Sequence, residues 1–291
     1  MQKRLTELLI KNGIEIFGFL PLKACKIQKP HLLERACIQN GSVAIFAIPY
    51  YTRACDAPKN ISSYAIGKDY HLFFKHFSEG LLKTLREEFP THRFAAFADH
   101  SPINEREAAA MAGLGILGKH GLLITEKYSS YIFLGEIITD SVWDIHPKEV
   151  AHCDGCGACE VACPLARGEV DSCLSEITQK KQPLSQQEQA MLGRYNTVWG
   201  CDLCQQACPH TRYAKEQGTI YTPLTFFEED TLPMLSRESI SKMDDEAFAS
   251  RAYSWRGREI LSRNLTLSEN ENDLTKGSEK EHISLKKDQE Q

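Results

Sequence analysis

Eight of the eleven cysteines of this 291-residue chain fall between Cys153 and Cys208. They are spaced Cys153-x2-Cys156-x2-Cys159-x3-Cys163-Pro164, then Cys173 alone, then Cys201-x2-Cys204-x3-Cys208-Pro209. Thiols at successive three-residue steps, closed by Cys-Pro, are iron–sulfur spacing, and eight thiolates serve two clusters of four. A chain carrying this segment has to bring distant thiols together, and the reading predicts that it moves electrons.

Other uses of these cysteines fail on arithmetic. A structural zinc site takes two Cys-x2-Cys knuckles, whereas Cys153, Cys156 and Cys159 already place three ligands in one run. A disulfide framework belongs to small secreted chains, and this sequence opens MQKRLTELLIKNG, without an apolar signal core. Reduced thiols and a cytoplasmic location are therefore expected. In the two-cluster ferredoxin pattern the last cysteine of each run ligates the other cluster. Carried over, that wiring groups Cys153, Cys156, Cys159 and Cys208 around one [4Fe-4S] cluster. Cys163, Cys173, Cys201 and Cys204 surround the other, with Cys173 filling the place missing from the second run. Spacing alone leaves the connectivity open.

At 42% hydrophobic residues the chain can bury one large core or two modest ones. It has no run of the ~20 apolar residues that spanning a bilayer takes, so no membrane partner is expected. The formal net charge is −5, but the last 25 residues carry seven acidic and four basic side chains, which leaves the body close to neutral. A body of that charge makes no global case for nucleic acid, and an RNA partner needs a local basic patch. The acidic end lacks aromatics and is expected to be disordered over 265–291.

Ahead of the cysteines, the pattern predicts an α/β domain over 1–145, a sheet covered by helices. A short amphipathic helix (1–12) precedes strands at 16–20 and 42–51, a one-faced helix after Asp69, and a strand at 92–98. A helix over 103–112 and strands near 122–125 and 131–138 complete it. A ferredoxin-like module (146–215) and a helical return segment (216–264) follow. In sheets of this kind ligands bind beyond the carboxyl ends of strands, where Asp99 and a glycine loop fall. Asp99 reads as a turn or cap residue, or as an acid whose desolvation raises its pKa so that it can donate a proton. Gly113-x-Gly115-x-x-Gly118 has the letters of a dinucleotide fingerprint, but it follows a helix and leads into a strand, the reverse of what that motif requires. Tyr70-His71 reads as packing plus surface polarity. Lys180-Lys181 reads as a solvated loop pair or a phosphate contact. Cys25, Cys37 and Cys55 share no ligand spacing.

Several of these segments together resemble the epoxyqueuosine reductase family. They are IGKDYH (66–71), DHSPINEREAAAMAGLGILGKHG (99–121), YSSYIFLGEIIT (128–139), the cysteine array with CLSEIT (173–178), WGCDLCQQACP (199–209), and SWRG with RN within 254–264. They run in order over about residues 60–264. The resemblance implies a cobalamin-dependent oxidoreductase with two [4Fe-4S] clusters that reduces epoxyqueuosine to queuosine in tRNA, the last step of queuosine biosynthesis. It implies that Asp99 is the general acid, and that Ser62, Asp99, Leu123, Leu134 and Ser175 contact cob(II)alamin, some through backbone atoms. Lys181 is implied as a contact to the tRNA anticodon stem-loop, and an external low-potential donor as the source of electrons. Two departures stand out. The family's Asp-Thr is Asp99-His100 here, and the helical repeats of longer members are replaced by the acidic tail, as in a short form.

Two other classes fit parts of the sequence. A ferredoxin-type electron carrier explains the cysteines without a corrin. A related corrin iron–sulfur reductase acting on another substrate explains everything except the tRNA.

Overall fold

The computed structural model describes residues 1–269. Its chain divides into two compact units assembled from interleaved segments, one from 1–53, 69–162 and 203–229, the other from 54–68, 163–202 and the chain from 230 onward. The three contiguous blocks expected ahead of the tail do not coincide with these units: the stretch 146–215 contributes to both.

The first unit is built on a four-stranded sheet, β1 (Phe17–Pro21), β2 (Ser42–Pro49), β3 (Phe94–Phe97) and, after two short strands β4 (Ile116–Leu117) and β5 (Leu123–Ile124), β6 (Ile132–Thr139). Spatial order is β1-β2-β6-β3, and every neighbouring pair is antiparallel. β2 is buried along its whole length, as its continuous apolar run predicts for a strand covered on both faces. Helices α1 (Gln2–Lys11), α2 (Pro30–Ala36), α3 (Tyr70–Glu88) and α4 (Glu105–Met111) accompany the sheet. α3 starts where Asp69 accepts the His71 amide as its N-cap, and it buries Phe74, Phe77, Leu81 and Leu85, one stripe at helical period. The Phe46 ring packs against Phe74 and Phe77. On the opposite face Ala108, Ala109 and Ala110 of α4 join Val43, Ile45 and Ile138 in one apolar body. The sheet is thus covered by helices, as the sequence suggests. Because it is antiparallel, the rule that places ligands beyond parallel strand ends does not apply; Asp99 lies just past the end of an edge strand.

Close backbone approach shapes this unit at two glycines. A Cβ on Gly18 would sit 2.3 Å from the Ala112 carbonyl oxygen, and one on Gly115 would sit 2.1 Å from that of Ile124. The glycine loop therefore lets the chain pack on itself between α4 and the β4–β5 pair.

In the same unit, helices α5 (Ala158–Ala162), α8 (Leu203–Ala207) and α9 (Pro209–Glu216) carry cysteine-bearing segments. The second unit contains α6 (Leu174–Gln179) and α7 (Gln186–Arg194), with short helical turns after 230. It is tied by backbone pairing of 60–62 with 198–199: Val198 donates to the Asn60 carbonyl and Ser62 to that of Trp199, both at 2.7 Å. Asn264 clamps it further, donating to the Thr178 and Val198 carbonyls at 2.8 Å. Residues 258–269 are helical, and Leu265 and Ser268 are buried. The disorder expected from 265 does not hold for 265–269, because that helix has an apolar face to bury; the rest of that expectation, 270–291, lies outside the described residues. No helix among the described residues is long and apolar enough to cross a membrane.

Gly18→Ala is expected to destabilise the protein by about 2 kcal/mol, since a backbone carbonyl cannot yield as a side chain can; the midpoint of urea unfolding measures it.

Candidate functional site

The cysteine segment is anchored to the first unit by backbone. Leu117 of β4 donates to the Ala151 carbonyl at 2.8 Å, and Cys153 donates back to the Leu117 carbonyl at 3.0 Å. Two residues on from Leu117, the Lys119 amide points at the Cys153 sulfur at 3.3 Å. The returning run is fixed to the residues leading into β6. The Gln205 side-chain amide donates to the Ser130 carbonyl at 3.0 Å, and the Ser129 and Thr211 hydroxyls pair at 2.8 Å.

The result is a cavity lined by Cys153, Cys156, Cys159 and Cys208, with Lys119, His120, Ile124 and His210 completing its wall. These four cysteines are the set grouped by the ferredoxin wiring. Among the described residues no three His, Cys, Asp or Glu side chains close on the point that a single ion would occupy; the thiols surround a volume. An all-sulfur donor set around a cavity, with a backbone N–H already directed at one sulfur, suits an iron–sulfur cluster. Of the remaining set, Cys163, Cys173 and Cys201 belong to the second unit and Cys204 to the first.

Asp99 follows β3 with φ +61°, a left-handed conformation unusual for a residue with a side chain. Its amide donates to Glu105 Oε1 at 3.1 Å, so a carboxylate at the start of α4 holds the strained turn. The Asp99 side chain is exposed. Burial instead affects two neighbouring carboxyls, Glu136 and Glu105. Glu136 of β6 is fully buried, and neither of its oxygens has a hydrogen-bond partner in good geometry. Burial, reinforced by the charge of Glu105, raises Glu136 well above the usual carboxyl range. Burial likewise raises Glu105 to about 7. Tyr70 stacks on Phe133 at 3.8 Å, and burial raises its hydroxyl, with Asp99 and Glu105 acting in the same direction.

The other expected contacts divide by unit. Leu123 and Leu134 join one apolar body with Ile103 and α4. Ser62 lies in the second unit with all its polar groups engaged: the hydroxyl donates to Asp202, the amide to Trp199, and the carbonyl accepts from Ala65. Asp202 is buried, accepts the Ser63 amide at 2.8 Å and hydroxyl at 2.6 Å, and pairs with Lys59 at 3.6 Å. Ser175 and Lys181 share an open groove with Cys173, Lys180, Gln179 and Arg256. Lys180 is tied to Glu188, while Lys181 is exposed. The Arg256 guanidinium lies 3.9 Å from the centre of the Trp255 ring, and that tryptophan is 59% exposed. The groove thus carries Lys181 and Arg256 together with Glu176, beside an exposed indole.

The geometry defines a cavity lined by four thiols in a mixed α/β chain. The family model described as "Epoxyqueuosine reductase QueG, DUF1730" matches residues 34–100. The "Epoxyqueuosine reductase" of Cyclobacterium marinum is 31% identical over 244 residues, covering 79% of this chain and 76% of the relative. That of Pseudomonas aeruginosa is 35% identical over 166 residues, 54% of this chain and 45% of the relative, so the chain spans under half the length of that protein. Among solved structures, an epoxyqueuosine reductase with an epoxyqueuosine-modified tRNA-Tyr stem loop has the same fold, with TM-score 0.73 at 23% identity over 92% of this chain and 80% of the other. The chain belongs to the epoxyqueuosine reductase family, a family of oxidoreductases.

A carboxyl whose folded pKa is raised favours the folded state fully below its unfolded value, 4.5, and loses that contribution as pH rises through the folded value, about 7 for Glu105. Stability is expected to fall between about pH 5.5 and about pH 8, and Glu136→Gln to flatten that fall, so that the variant unfolds at the higher urea concentration at the upper end. Urea midpoints at the two pH values test this; parallel profiles for parent and variant contradict it.

Proposed function

We propose that this chain reduces epoxyqueuosine in tRNA to queuosine. The observation that carries the reading is the convergence of Cys153, Cys156, Cys159 and Cys208 on one cavity in a chain of this family. The relative's tRNA-Tyr stem loop and the groove of Lys181, Arg256 and exposed Trp255 support an RNA substrate.

Opening the epoxide to an alkene consumes two electrons and two protons and releases the oxygen as water. When bound, two [4Fe-4S] clusters and cob(II)alamin would supply the electrons one at a time. In this proposal Cys153, Cys156, Cys159 and Cys208 hold one cluster, and Cys163, Cys173, Cys201 and Cys204 the other, as in a ferredoxin-like module. An external low-potential donor would reach the first set of thiols where Cys156 and Val161 are exposed. Leu123 and Leu134 offer apolar surface to the corrin, Ser175 a polar contact, and Ser62 only its packing surface, since its donors are engaged.

Asp99 is the proton donor to the epoxide oxygen. Its left-handed backbone, held by Glu105, sets the point from which the side chain projects. Lys181 contacts the backbone of the anticodon stem-loop, a role that positions the substrate without reading sequence.

General acid assistance typically contributes roughly 10²–10⁴-fold. Asp99→Asn is accordingly expected to keep its iron and bound corrin and to lose at least about a hundredfold in turnover. The assay is mass spectrometry of nucleosides from tRNA treated with anaerobically reconstituted protein; conversion near the parent rate removes Asp99 from the reaction. Cys173→Ala is expected to lose one cluster by iron and sulfide counting, and full iron retention rejects the ligand grouping. A ferredoxin-type carrier would bind iron without taking up cobalamin, and a reductase for another substrate would take up both and leave the tRNA unchanged.

A further inference from the structure

His120 sits in the tight connection between β4 and β5, where Gly121 donates to the Gly118 carbonyl at 2.8 Å and Gly118 to that of Leu122 at 2.9 Å. This connection fixes the imidazole. The Leu122 amide donates to His120 Nδ1 at 3.2 Å, so Nδ1 carries no proton and the proton of the neutral ring is on Nε2. Nε2 is buried and has no hydrogen-bond partner in the protein. The ring lines the cavity of Cys153, Cys156, Cys159 and Cys208. A buried N–H without an acceptor is costly, and the acceptors that this cavity is suited to hold are sulfurs.

We propose that His120 Nε2–H donates a hydrogen bond to a sulfur of the cluster held by these four cysteines and thereby raises that cluster's reduction potential. The inference rests on the cluster reading above. One-electron reduction of a [4Fe-4S] centre adds one negative charge, spread over iron, sulfide and thiolate. A fixed donor stabilises that charge more than the oxidised state, and hydrogen bonds to sulfur are among the factors that set such potentials. The Lys119 amide, 3.3 Å from the Cys153 sulfur, already acts in this direction; His120 adds a donor from a side chain. Its effect is to make the centre that accepts external electrons easier to reduce.

The test is a potentiometric titration of the reconstituted full-length protein, followed by low-temperature electron paramagnetic resonance, after iron and sulfide have been counted. His120→Leu is expected to shift one of the two midpoint potentials downward by about tenfold in the reduction equilibrium, which is 59 mV for one electron. His120→Gln, which keeps a donor, is expected to restore most of it, and the second potential should not move. Unchanged potentials in His120→Leu with clusters intact overturn the inference alone, whereas parent protein that takes up no cluster overturns the reading beneath it. If His120→Leu does not assemble, electron–nuclear double resonance on the reduced parent decides: an exchangeable proton coupled to the centre and lost with ²H₂O is expected. Its absence, or a directly bound imidazole nitrogen, refutes the hydrogen bond.

Discussion

The site depends on two backbone hydrogen bonds that join Leu117 to the stretch 151–153. Cys153 is locked to β4, and the Lys119 amide and His120 ring follow within three residues. Without that pairing the first three cysteines would lie on a flexible loop, and each would lose conformational entropy only when metal arrived. With it, much of that ordering is done by the fold, helped by Gln205 and Thr211 on the returning run. A thiol set organised in advance binds more tightly for the same ligands, because less freedom is lost on binding.

A second constraint runs through buried charge. Asp202, 140 residues from Ser62 in sequence, is satisfied by two serines and Lys59. Glu136 has no such compensation and Glu105 only the Asp99 amide, and burial raises both above the usual carboxyl range. The difference follows from donors: hydroxyls and an ammonium compensate a buried carboxylate, whereas burial on an apolar strand raises its pKa. Both arrangements cost stability in isolation, and both lie beside residues that the family likeness assigns to the chemistry.

Much of the fold is legible in the sequence. The apolar stripe of α3, the unbroken run of β2 and the cap at Asp69 follow local rules, and local rules work where one face or one strand is buried. That Cys153, Cys156, Cys159 and Cys208 line one cavity agrees with the grouping carried over from the ferredoxin pattern, which spacing alone leaves open. What escaped was long-range. The antiparallel strand order depends on β6 entering between β2 and β3, which no local pattern encodes. Asp99 reads as an acid at an apolar strand end, but the charge that burial affects belongs to Glu136, visible in the sequence only as one glutamate inside YIFLGEIIT. His120 resembles a loop residue until the cavity forms around it. Ser62 and Asp202 carry no signal at all, since their partnership exists only once residues 60–62 pair with 198–199.

The interleaving of the two units affects how the chain is made. Cys153, Cys156 and Cys159 leave the ribosome well before Cys208, and the whole 163–202 stretch of the other unit is synthesised in between. Synthesis runs at about 5–20 residues per second, so three reactive thiols stand incomplete for seconds in every nascent molecule. A group that needs all four thiols would therefore be loaded only after Cys208 has been made.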